Sequence, residues 1–385
     1  MRFLFIKVRG SVKDLVHSLE AMGHEVTTLE GYEFEPYADC EEAYSALEAM
    51  VKKGGWDFLI SYLFFGRVSD ICNAHGLRYI AWVYDSPLMT LFDEQVKNPV
   101  NRIFVFDKRE YERLKEAGVP RLYYMPMAAC TDRIGGISIR PEDEERFTCD
   151  ISFVGALYED NPYDNIINEL PGKYTYDMKM YLGVNLCNWM NIRPWPSVDG
   201  GLASYCEDRG FLNMKYAHGL DAKTFLGVAL MSRKLAQLER ITVLNALARR
   251  HSVRLYTRDS GRYLEGVNLC PGVDYNTDMT RVFNLSRINL NITIPSIETG
   301  IPQRVWDIIG SGGFCMTNYQ EEIEDFFTIG EDIETFKSIN ELLLKTEFYL
   351  RHEDLRLGIL IKGYEKVMKY HKYEDRLEKM IALSD

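Results

Sequence analysis

The chain has 385 residues, of which 46% are hydrophobic and 26% charged, the composition of a soluble globular protein large enough for two domains. The 57 acidic residues outnumber the 45 basic ones, giving a net charge of −12, so nucleic acid is not an expected partner. No apolar stretch is long enough to span a bilayer, and the first residues are too charged for a signal peptide. The eight cysteines and seven histidines are scattered, so we expect no metal site, no disulfides and a cytoplasmic location.

The first half of the chain alternates predicted strands with predicted helices. Strands are predicted at residues 3–8, 24–29, 56–62, 79–84, 102–106 and 122–125. Helices are predicted in four of the five intervals between them, the exception being the interval from 84 to 102. Glycines at positions 23, 76 and 118 mark three of the helix ends. This alternation predicts a parallel sheet with helices on both faces.

Residues 131–147 interrupt this pattern with two glycines, a proline and an acidic run, which is typical of an interdomain linker. A second domain is expected to begin with a strand at residues 149–154. A mainly helical region follows to about residue 248, and further strands are predicted at 253–256, 288–292 and 313–317. Helices are predicted at 303–309, 323–326, 339–346 and 365–382. Two halves of this kind predict two Rossmann-like domains that face a central cleft.

The most informative segment runs from residue 289 to 314 and consists of a strand, a turn and the start of a helix. Gly300, Ile301 and Pro302 form the turn, and proline suits the first turn of a helix. The amide groups at a helix N-terminus attract phosphate, and Arg304 can add a charge-assisted hydrogen bond to a diphosphate. Asp307, three residues on, can accept hydrogen bonds from ribose hydroxyls. The alternative is a simple intrahelical salt bridge between Arg304 and Asp307.

These motifs resemble the GT-B glycosyltransferases, in particular the spore-maturation, CgeB-type family. The resemblance is carried by Gly-Ile-Pro-x-Arg-x-x-Asp at 300–307, by Gly-x-Gly-Gly-Phe at 310–314 and by Thr-Asn-Tyr-Gln-Glu-Glu at 317–322. The segments 79–87, 103–108 and 151–158 extend it over most of the chain. It implies an α/β protein of the GT-B class, a nucleotide-diphosphate sugar as donor substrate and no separate cofactor. The N-terminal domain, residues 1–145, would bind the acceptor. Residues 146–364 would bind the donor, and the helix at 365–385 would cross back to the first domain.

Four more residues are candidate donor ligands. Gly155 follows a strand, where a residue without a side chain lets a ligand approach the backbone, although an ordinary turn is the alternative. Arg240 could bind phosphate or form a surface salt bridge. Tyr256 ends a strand at the carboxyl edge, where open α/β sheets bind ligands. Tyr275 could stack on the base or pack in the core.

On the acceptor side, Asp85 ends a buried strand and is the candidate general base for inverting transfer, with turn capping as its alternative role. Glu298 could contact the donor sugar or be a solvated loop residue. Its spacing to Asp307 is one residue longer than the pair found in many retaining GT-B enzymes, so the stereochemistry stays open. Gly10, Ser11 and Ser86 are expected to line the acceptor side. Asp107 is more typical of a helix N-cap, and His218 is a weaker catalytic candidate.

The sequence contains no Asp-x-Asp motif at a strand end, which favours metal-independent transfer to a hydroxyl of a protein, polysaccharide or other surface glycan. Two alternatives remain at this stage. One is a non-catalytic GT-B protein that binds a nucleotide-sugar as a scaffold, and the other is a sugar-nucleotide epimerase. The sequence does not determine the base, the sugar, the acceptor or the oligomeric state.

Overall fold

Two six-stranded parallel sheets organise the chain, and each lies in its own unit. The computed structural model describes residues 1–9, 13–38, 40–187 and 198–384. Unit 1 consists of Met1–Arg133, Lys215–Leu220 and Tyr370–Asp385, and unit 2 consists of Ile134–Met214 and Asp221–Lys369. The predicted boundary lies at residue 145, with residues 215–220 in the second domain, whereas this division ends the first segment of unit 1 at Arg133 and places 215–220 in unit 1.

The sheet of unit 1 has the order β2-β1-β3-β4-β5-β6. Its strands are β1 (Arg2–Phe5), β2 (Glu25–Thr28), β3 (Phe58–Tyr62), β4 (Arg78–Val83), β5 (Asn101–Val105) and β6 (Leu122–Tyr124). All five strand pairings are parallel. Every residue of β3 is buried, as expected for a central strand covered on both faces.

The helices α1 to α4 of unit 1 connect these strands. They are α1 (Asp14–Ala21), α2 (Glu41–Lys53), α3 (Gly66–His75) and α4 (Lys108–Glu116), with 3₁₀ turns at Met89–Phe92 and Glu94–Lys97. Asp107 caps α4 by accepting hydrogen bonds from the amides of Arg109 (2.9 Å) and Glu110 (3.3 Å), which confirms its predicted role as an N-cap.

The stretch predicted as a linker contains two helices, α5 (Thr131–Gly135) and α6 (Pro141–Phe147). Pro141 occupies the first turn of α6, and Arg281 binds the buried Asp143 at 3.1 Å. The acidic run at 142–145 is therefore part of a helix that packs within unit 2 through the buried Asp143 and Phe147.

The sheet of unit 2 has the order β12-β11-β10-β7-β8-β9, again entirely parallel. Its strands are β7 (Cys149–Val154), β8 (Val253–Thr257), β9 (Asn268–Pro271), β10 (Ser286–Asn291), β11 (Cys315–Asn318) and β12 (Glu334–Phe336). The first strand and the central positions of β8, β10 and β11 follow the prediction. The edge strands β9 and β12, which are four and three residues long, were not predicted.

The helices of unit 2 cover both faces of this sheet. They are α7 (Pro162–Ile166), α8 (Gly172–Cys187), α9 (Gly200–Asp208), α10 (Ala222–Phe225), α11 (Ser232–Ala248), α12 (Asp278–Leu285), α13 (Gln303–Gly310), α14 (Ile323–Phe326), α15 (Ile339–Arg351) and α16 (Glu353–Tyr370). A 3₁₀ turn spans Met214–Tyr216, and a π-helical turn at Leu226–Met231 leads into α11. The core of the unit lies between the inner strands and α11, where Phe153, Leu244, Leu290 and Met316 are buried.

The C-terminal prediction of one helix at 365–382 is wrong in its bounds. The structure has α16 followed by α17 (Tyr373–Ser384), and the division into units falls between the two. Within unit 1, α17 packs on β4, with the rings of Trp82 and Tyr373 4.9 Å apart. The hydroxyl of Tyr62 donates to that of Tyr373 at 3.2 Å. The final helix is thus part of the core of unit 1.

Candidate functional site

The candidate site in unit 2 is built on the N-terminal turn of α13. Pro302 precedes the helix with a φ of −68°, the value that its ring fixes. Val305, Ile308 and Ile309 are buried and fix the helix on the sheet. Arg304 and Asp307 are one turn apart, so the first turn presents a cation, a carboxylate and the free amides of a helix N-terminus.

The loop that enters α13 is fixed by the segment after β11. Asn318 accepts a hydrogen bond from the amide of Thr293 at 2.7 Å. Gln320 donates to the carbonyls of Ile297 and Gly300, both at 3.3 Å. Glu322 accepts from the hydroxyl of Thr299 at 2.7 Å. Three side chains of the polar motif at 317–322 therefore fix the loop at 293–300.

The nearby Gly-x-Gly-Gly-Phe motif also has a packing reason. A Cβ atom at Gly313 would lie 2.6 Å from the carbonyl oxygen of Phe283 and 2.7 Å from Nδ2 of Asn289. Any side chain there would clash with α12 and with β10. The glycine therefore lets the turn after α13 lie against both elements.

Arg304 is a partly buried cation without a partner. Among the described residues it forms neither a hydrogen bond nor an ion pair, and its Nε is shielded from solvent. Burial lowers the pKa of Arg304, the nearby guanidinium of Arg240 lowers it further, and Asp307 opposes both. Arginine nonetheless stays protonated in proteins. The side chain is therefore a cation placed to receive an anion.

Asp307 does not pair with Arg304. It is 2% exposed, and its Oδ1 accepts hydrogen bonds from the hydroxyl of Tyr275 (3.2 Å) and from Nε2 of Gln303 (3.0 Å). The intrahelical salt bridge considered from the sequence is therefore not formed. Tyr275 is half-buried and bound to the candidate ribose ligand, so it belongs to the site and not to the core.

Gly155 directly adjoins the Arg304 guanidinium. A Cβ atom at position 155 would lie 2.9 Å from Nη1 of Arg304 and 3.4 Å from the ring of Phe153. The loop after Gly155 is fixed by Asp259, which accepts a hydrogen bond from the amide of Leu157. The missing side chain keeps a path open from the backbone of this loop to the cation.

Arg240 reaches the same place from α11. It is 7% exposed and donates to the carbonyls of Ala156 (2.6 Å) and Ile292 (2.8 Å), which follow β7 and β10. Its guanidinium lies 4.7 Å from the ring centre of Tyr158. A surface salt bridge does not fit this position. Arg240 ties two strand-end loops together and brings a second positive charge close to Arg304.

Two further residues predicted on the donor side are Tyr256 and Glu298. The Tyr256 ring packs near Phe147, and its hydroxyl lies beside Arg254 and the thiols of Cys149 and Cys270. Glu298 is partly buried in the loop before α13, so it is not a fully solvated residue. Gly300 and Ile301 are buried beneath the turn that they form.

The acceptor-side candidates belong to unit 1. Asp85 is exposed at the end of β4. Ser86 is 7% exposed, and its hydroxyl lies near the carboxyl group of Glu110. Gly10 and Ser11 lie outside the described residues.

Neither a cluster of metal ligands nor a membrane-spanning helix is found among the described residues. No group of three or more His, Cys, Asp or Glu side chains is placed to hold a metal ion. None of the described helices is both long and apolar enough to cross a membrane. Sequence reasoning missed the supporting roles of Gln303, Asn318 and Gln320, whose residue types alone carry no ligand signal.

Comparison with known proteins agrees with this geometry. Residues 236–382, which include Arg240, Arg304 and Asp307, match a family model described as glycosyl transferase-like. No curated protein matches the sequence.

Solved structures match over the whole chain. Sucrose-phosphate synthase from Thermosynechococcus elongatus is 9% identical and has a TM-score of 0.56. The match covers 100% of this chain and 98% of the synthase chain. A UDP-forming α,α-trehalose-phosphate synthase from Burkholderia xenovorans has the same identity and coverage and a TM-score of 0.51. T4 phage BGT in complex with its UDP-glucose substrate, again with the same identity and coverage, has a TM-score of 0.50.

The sheets and these matches confirm the predicted α/β architecture of the GT-B class. The match of residues 236–382 to the glycosyl transferase-like model supports the prediction of an enzyme of the glycosyltransferase class.

Proposed function

We propose that this protein transfers a sugar from a nucleotide-diphosphate donor to a hydroxyl-bearing acceptor without a metal ion. The observation that carries the proposal is the unpaired guanidinium of Arg304 at the first turn of α13. A departing diphosphate gains negative charge as the bond to the sugar breaks. A fixed cation and helix amides stabilise that charge more than they stabilise the intact donor.

Each residue of the site then has a part in donor binding. Arg304 and the α13 N-terminus would bind the diphosphate, Gly155 would let it approach the backbone, and Arg240 would hold the two surrounding loops. Asp307, with Tyr275 on its Oδ1, would accept the ribose hydroxyls. Asp85 and Glu298 stay proposed catalytic groups on the acceptor and donor sides.

Several finer points are also proposals. UDP is the first nucleotide to test, because two of the similar structures are described as UDP-forming or as bound to UDP-glucose. The CgeB-type assignment and a glycan or protein acceptor depend on the motifs at 79–87 and 300–322. The cytoplasmic location has support from the eight cysteines, all of which are free thiols.

The test is thermal denaturation with UDP, GDP, TDP, CDP, ADP and inorganic pyrophosphate. A ligand that binds only the native state stabilises it by about 2.7 kcal/mol at 100 times its Kd. Arg304→Met should abolish stabilisation by both the nucleotide and pyrophosphate. Asp307→Asn should weaken the nucleotide about tenfold and leave pyrophosphate unchanged, because only the nucleotide carries a ribose.

Turnover separates the transferase from a binding protein. Wild-type protein that binds a nucleotide should release it from the matching sugar nucleotide. Arg356→Met is the control, since Arg356 is a buried arginine that hydrogen bonds to Arg287 and Glu353 outside the site. The proposal fails if no nucleotide stabilises the wild type, or if Arg304→Met binds nucleotide as well as Arg356→Met.

A further inference from the structure

A histidine and an aspartate form an ordered pair in unit 1, outside the site described above. Nδ1 of His218 lies 2.8 Å from both carboxylate oxygens of Asp93. A carboxylate only accepts, so Nδ1 carries the proton and Nε2 of the neutral ring presents a lone pair. Nε2 is shielded from solvent and has no hydrogen-bond partner among the described residues.

The pair lies at the carboxyl edge of the unit 1 sheet. Along the chain, Asp93 is flanked by two residues that contact the segment after β3. Thr90 donates to the carbonyl of Phe64, and Gln95 packs against Gly66 at the start of α3. Both contacts are with backbone that leaves the carboxyl end of β3. Open parallel sheets bind ligands at that edge.

His218 is held there by its own backbone. Its φ is +48°, in the left-handed region that non-glycine residues seldom adopt. The next residue, Gly219, has a φ of +81°, and a Cβ atom on it would lie 3.2 Å from the carbonyl oxygen of Phe92. Strained backbone that persists beside a polar side chain is a feature of functional sites.

One exposed aromatic ring borders the imidazole, and a second exposed ring packs against the first. Tyr37 is 41% exposed and Tyr216 is 36% exposed, and their ring centres are 6.1 Å apart. The Tyr37 ring centre lies 5.7 Å from that of His218. Exposed tyrosine rings combine an apolar face with a polar tip, which suits a sugar whose C–H face packs on a ring and whose hydroxyls reach polar groups.

We propose that His218, Asp93, Tyr37 and Tyr216 form the acceptor site, that it takes a sugar, and that Nε2 of His218 is the general base. This inference rests on the proposed transferase function and deepens it. It differs from the prediction of Asp85 as the base. Asp93 is a positioning residue, because it acts through the imidazole.

The reaction step balances as an inverting displacement. Nε2 takes the proton of the acceptor hydroxyl while that oxygen forms a bond to the anomeric carbon of the donor. The bond from that carbon to the diphosphate breaks, and its electron pair leaves with the nucleoside diphosphate. The proton stays on His218 as an imidazolium that Asp93 stabilises, and water removes it afterwards.

The first experiment measures sugar binding by saturation-transfer NMR with methyl glucoside, methyl galactoside and methyl mannoside on the full chain. At least one should bind the wild type. Tyr37→Leu and Tyr216→Leu should weaken that sugar about five- to tenfold, whereas Tyr37→Phe, which keeps the ring, should not. No binding by any of the three, or equal binding by Tyr37→Leu, would overturn the acceptor assignment.

The second experiment measures nucleotide release from UDP-, GDP-, TDP-, CDP- and ADP-glucose in the presence of the sugar that binds. His218→Asn should lower kcat about 100-fold or more, and Asp93→Asn about tenfold or more, with nucleotide affinity unchanged. His218→Gln is the second variant, used if His218→Asn melts at a lower temperature.

The outcomes separate this inference from the proposed function. If nucleotide binds and is released at the wild-type rate by both His218 variants, or if the product keeps the donor's anomeric configuration, this inference is wrong and the transferase stands. If the wild type binds nucleotide but releases none with the bound sugar, the role of His218 as a base falls. If no nucleotide binds at all, both proposals fall together.

Discussion

Gly155, just after β7, and Arg304, in the first turn of α13, meet so closely that a single methyl group at position 155 would lie 2.9 Å from Nη1 of the arginine. Gly155→Ala should therefore displace the guanidinium from the first turn of α13. We expect nucleoside diphosphate affinity to fall about tenfold or more, measured as a smaller thermal shift at fixed ligand concentration.

The matched control for this substitution is Gly358→Ala. A Cβ atom at Gly358 on α16 meets nothing within 4 Å, and alanine favours a helix over glycine by about 0.5–1 kcal/mol. This variant should gain stability and bind nucleotide like the wild type. Equal nucleotide affinity in Gly155→Ala and Gly358→Ala would show that the space beside Arg304 is not used by the ligand.

The unpaired state of Arg304 predicts a conflict between stability and binding. A shielded cation without a partner costs free energy, and methionine fills a similar volume without charge. Arg304→Met should raise the free energy of unfolding without ligand by about 1–3 kcal/mol while it removes the response to nucleotide. Denaturant titration with and without UDP measures both effects.

Arg356→Met should behave in the opposite way. Arg356 is 4% exposed but donates to the carbonyl of Arg287 at 3.0 Å and to Glu353 at 3.2 Å. Its removal should lower stability by about 1–3 kcal/mol and leave nucleotide binding intact. A loss of stability in Arg304→Met comparable to that in Arg356→Met would mean that Arg304 has a structural partner after all.

The parts of the molecule that could be read from sequence are those set by local patterns. Buried apolar runs and helix-ending glycines predict the inner strands and the Gly-Ile-Pro turn before α13. The edge strands β9 and β12 carry no such pattern, because three of the four residues of β9 are exposed. Their place in the sheet depends on neighbours that only the fold supplies.

Contacts between distant residues explain what the sequence left open at the sites. Asp93 and His218 are 125 residues apart, and Arg240 reaches carbonyls 84 and 52 residues away. Asp307 could have paired with Arg304 on spacing alone. Instead, Tyr275 approaches from another segment and donates a hydrogen bond to the Asp307 carboxylate.

The loop at 297–302 should depend on Gln320, which is 8% exposed and contacts two of its carbonyls. Gln320→Ala leaves both carbonyls without their donor, so we expect a loss of about 1–3 kcal/mol of stability and weaker nucleotide binding. Tyr319→Phe is the control at the next position, since it removes only an exposed hydrogen bond to Glu324. If Gln320→Ala binds nucleotide like Tyr319→Phe, the turn keeps its shape without this contact.

Glu110 should make the stability of unit 1 depend on pH. Burial is the main cause that raises the pKa of Glu110 from 4.5 to about 8, and the Asp107 carboxylate adds to it, while the Leu88 amide and Ser86 hydroxyl oppose it. Below pH 4.5 the Glu110 carboxyl is protonated in both the folded and the unfolded chain, so its ionisation does not lower the free energy of unfolding. Between pH 4.5 and 8 the unfolded chain ionises first, and stability falls by at most about 1.4 kcal/mol per pH unit.

Glu110→Gln cannot ionise and keeps an acceptor for the Leu88 amide, which donates to Glu110 at 3.0 Å. Relative to the wild type, the variant should therefore be more stable at pH 8 than at pH 5, by about 2–4 kcal/mol. Urea unfolding of both proteins at the two pH values measures this difference. Parallel pH dependence in the two proteins would mean that Glu110 is already ionised in the folded chain, with its charge compensated within the loop that carries Asp85.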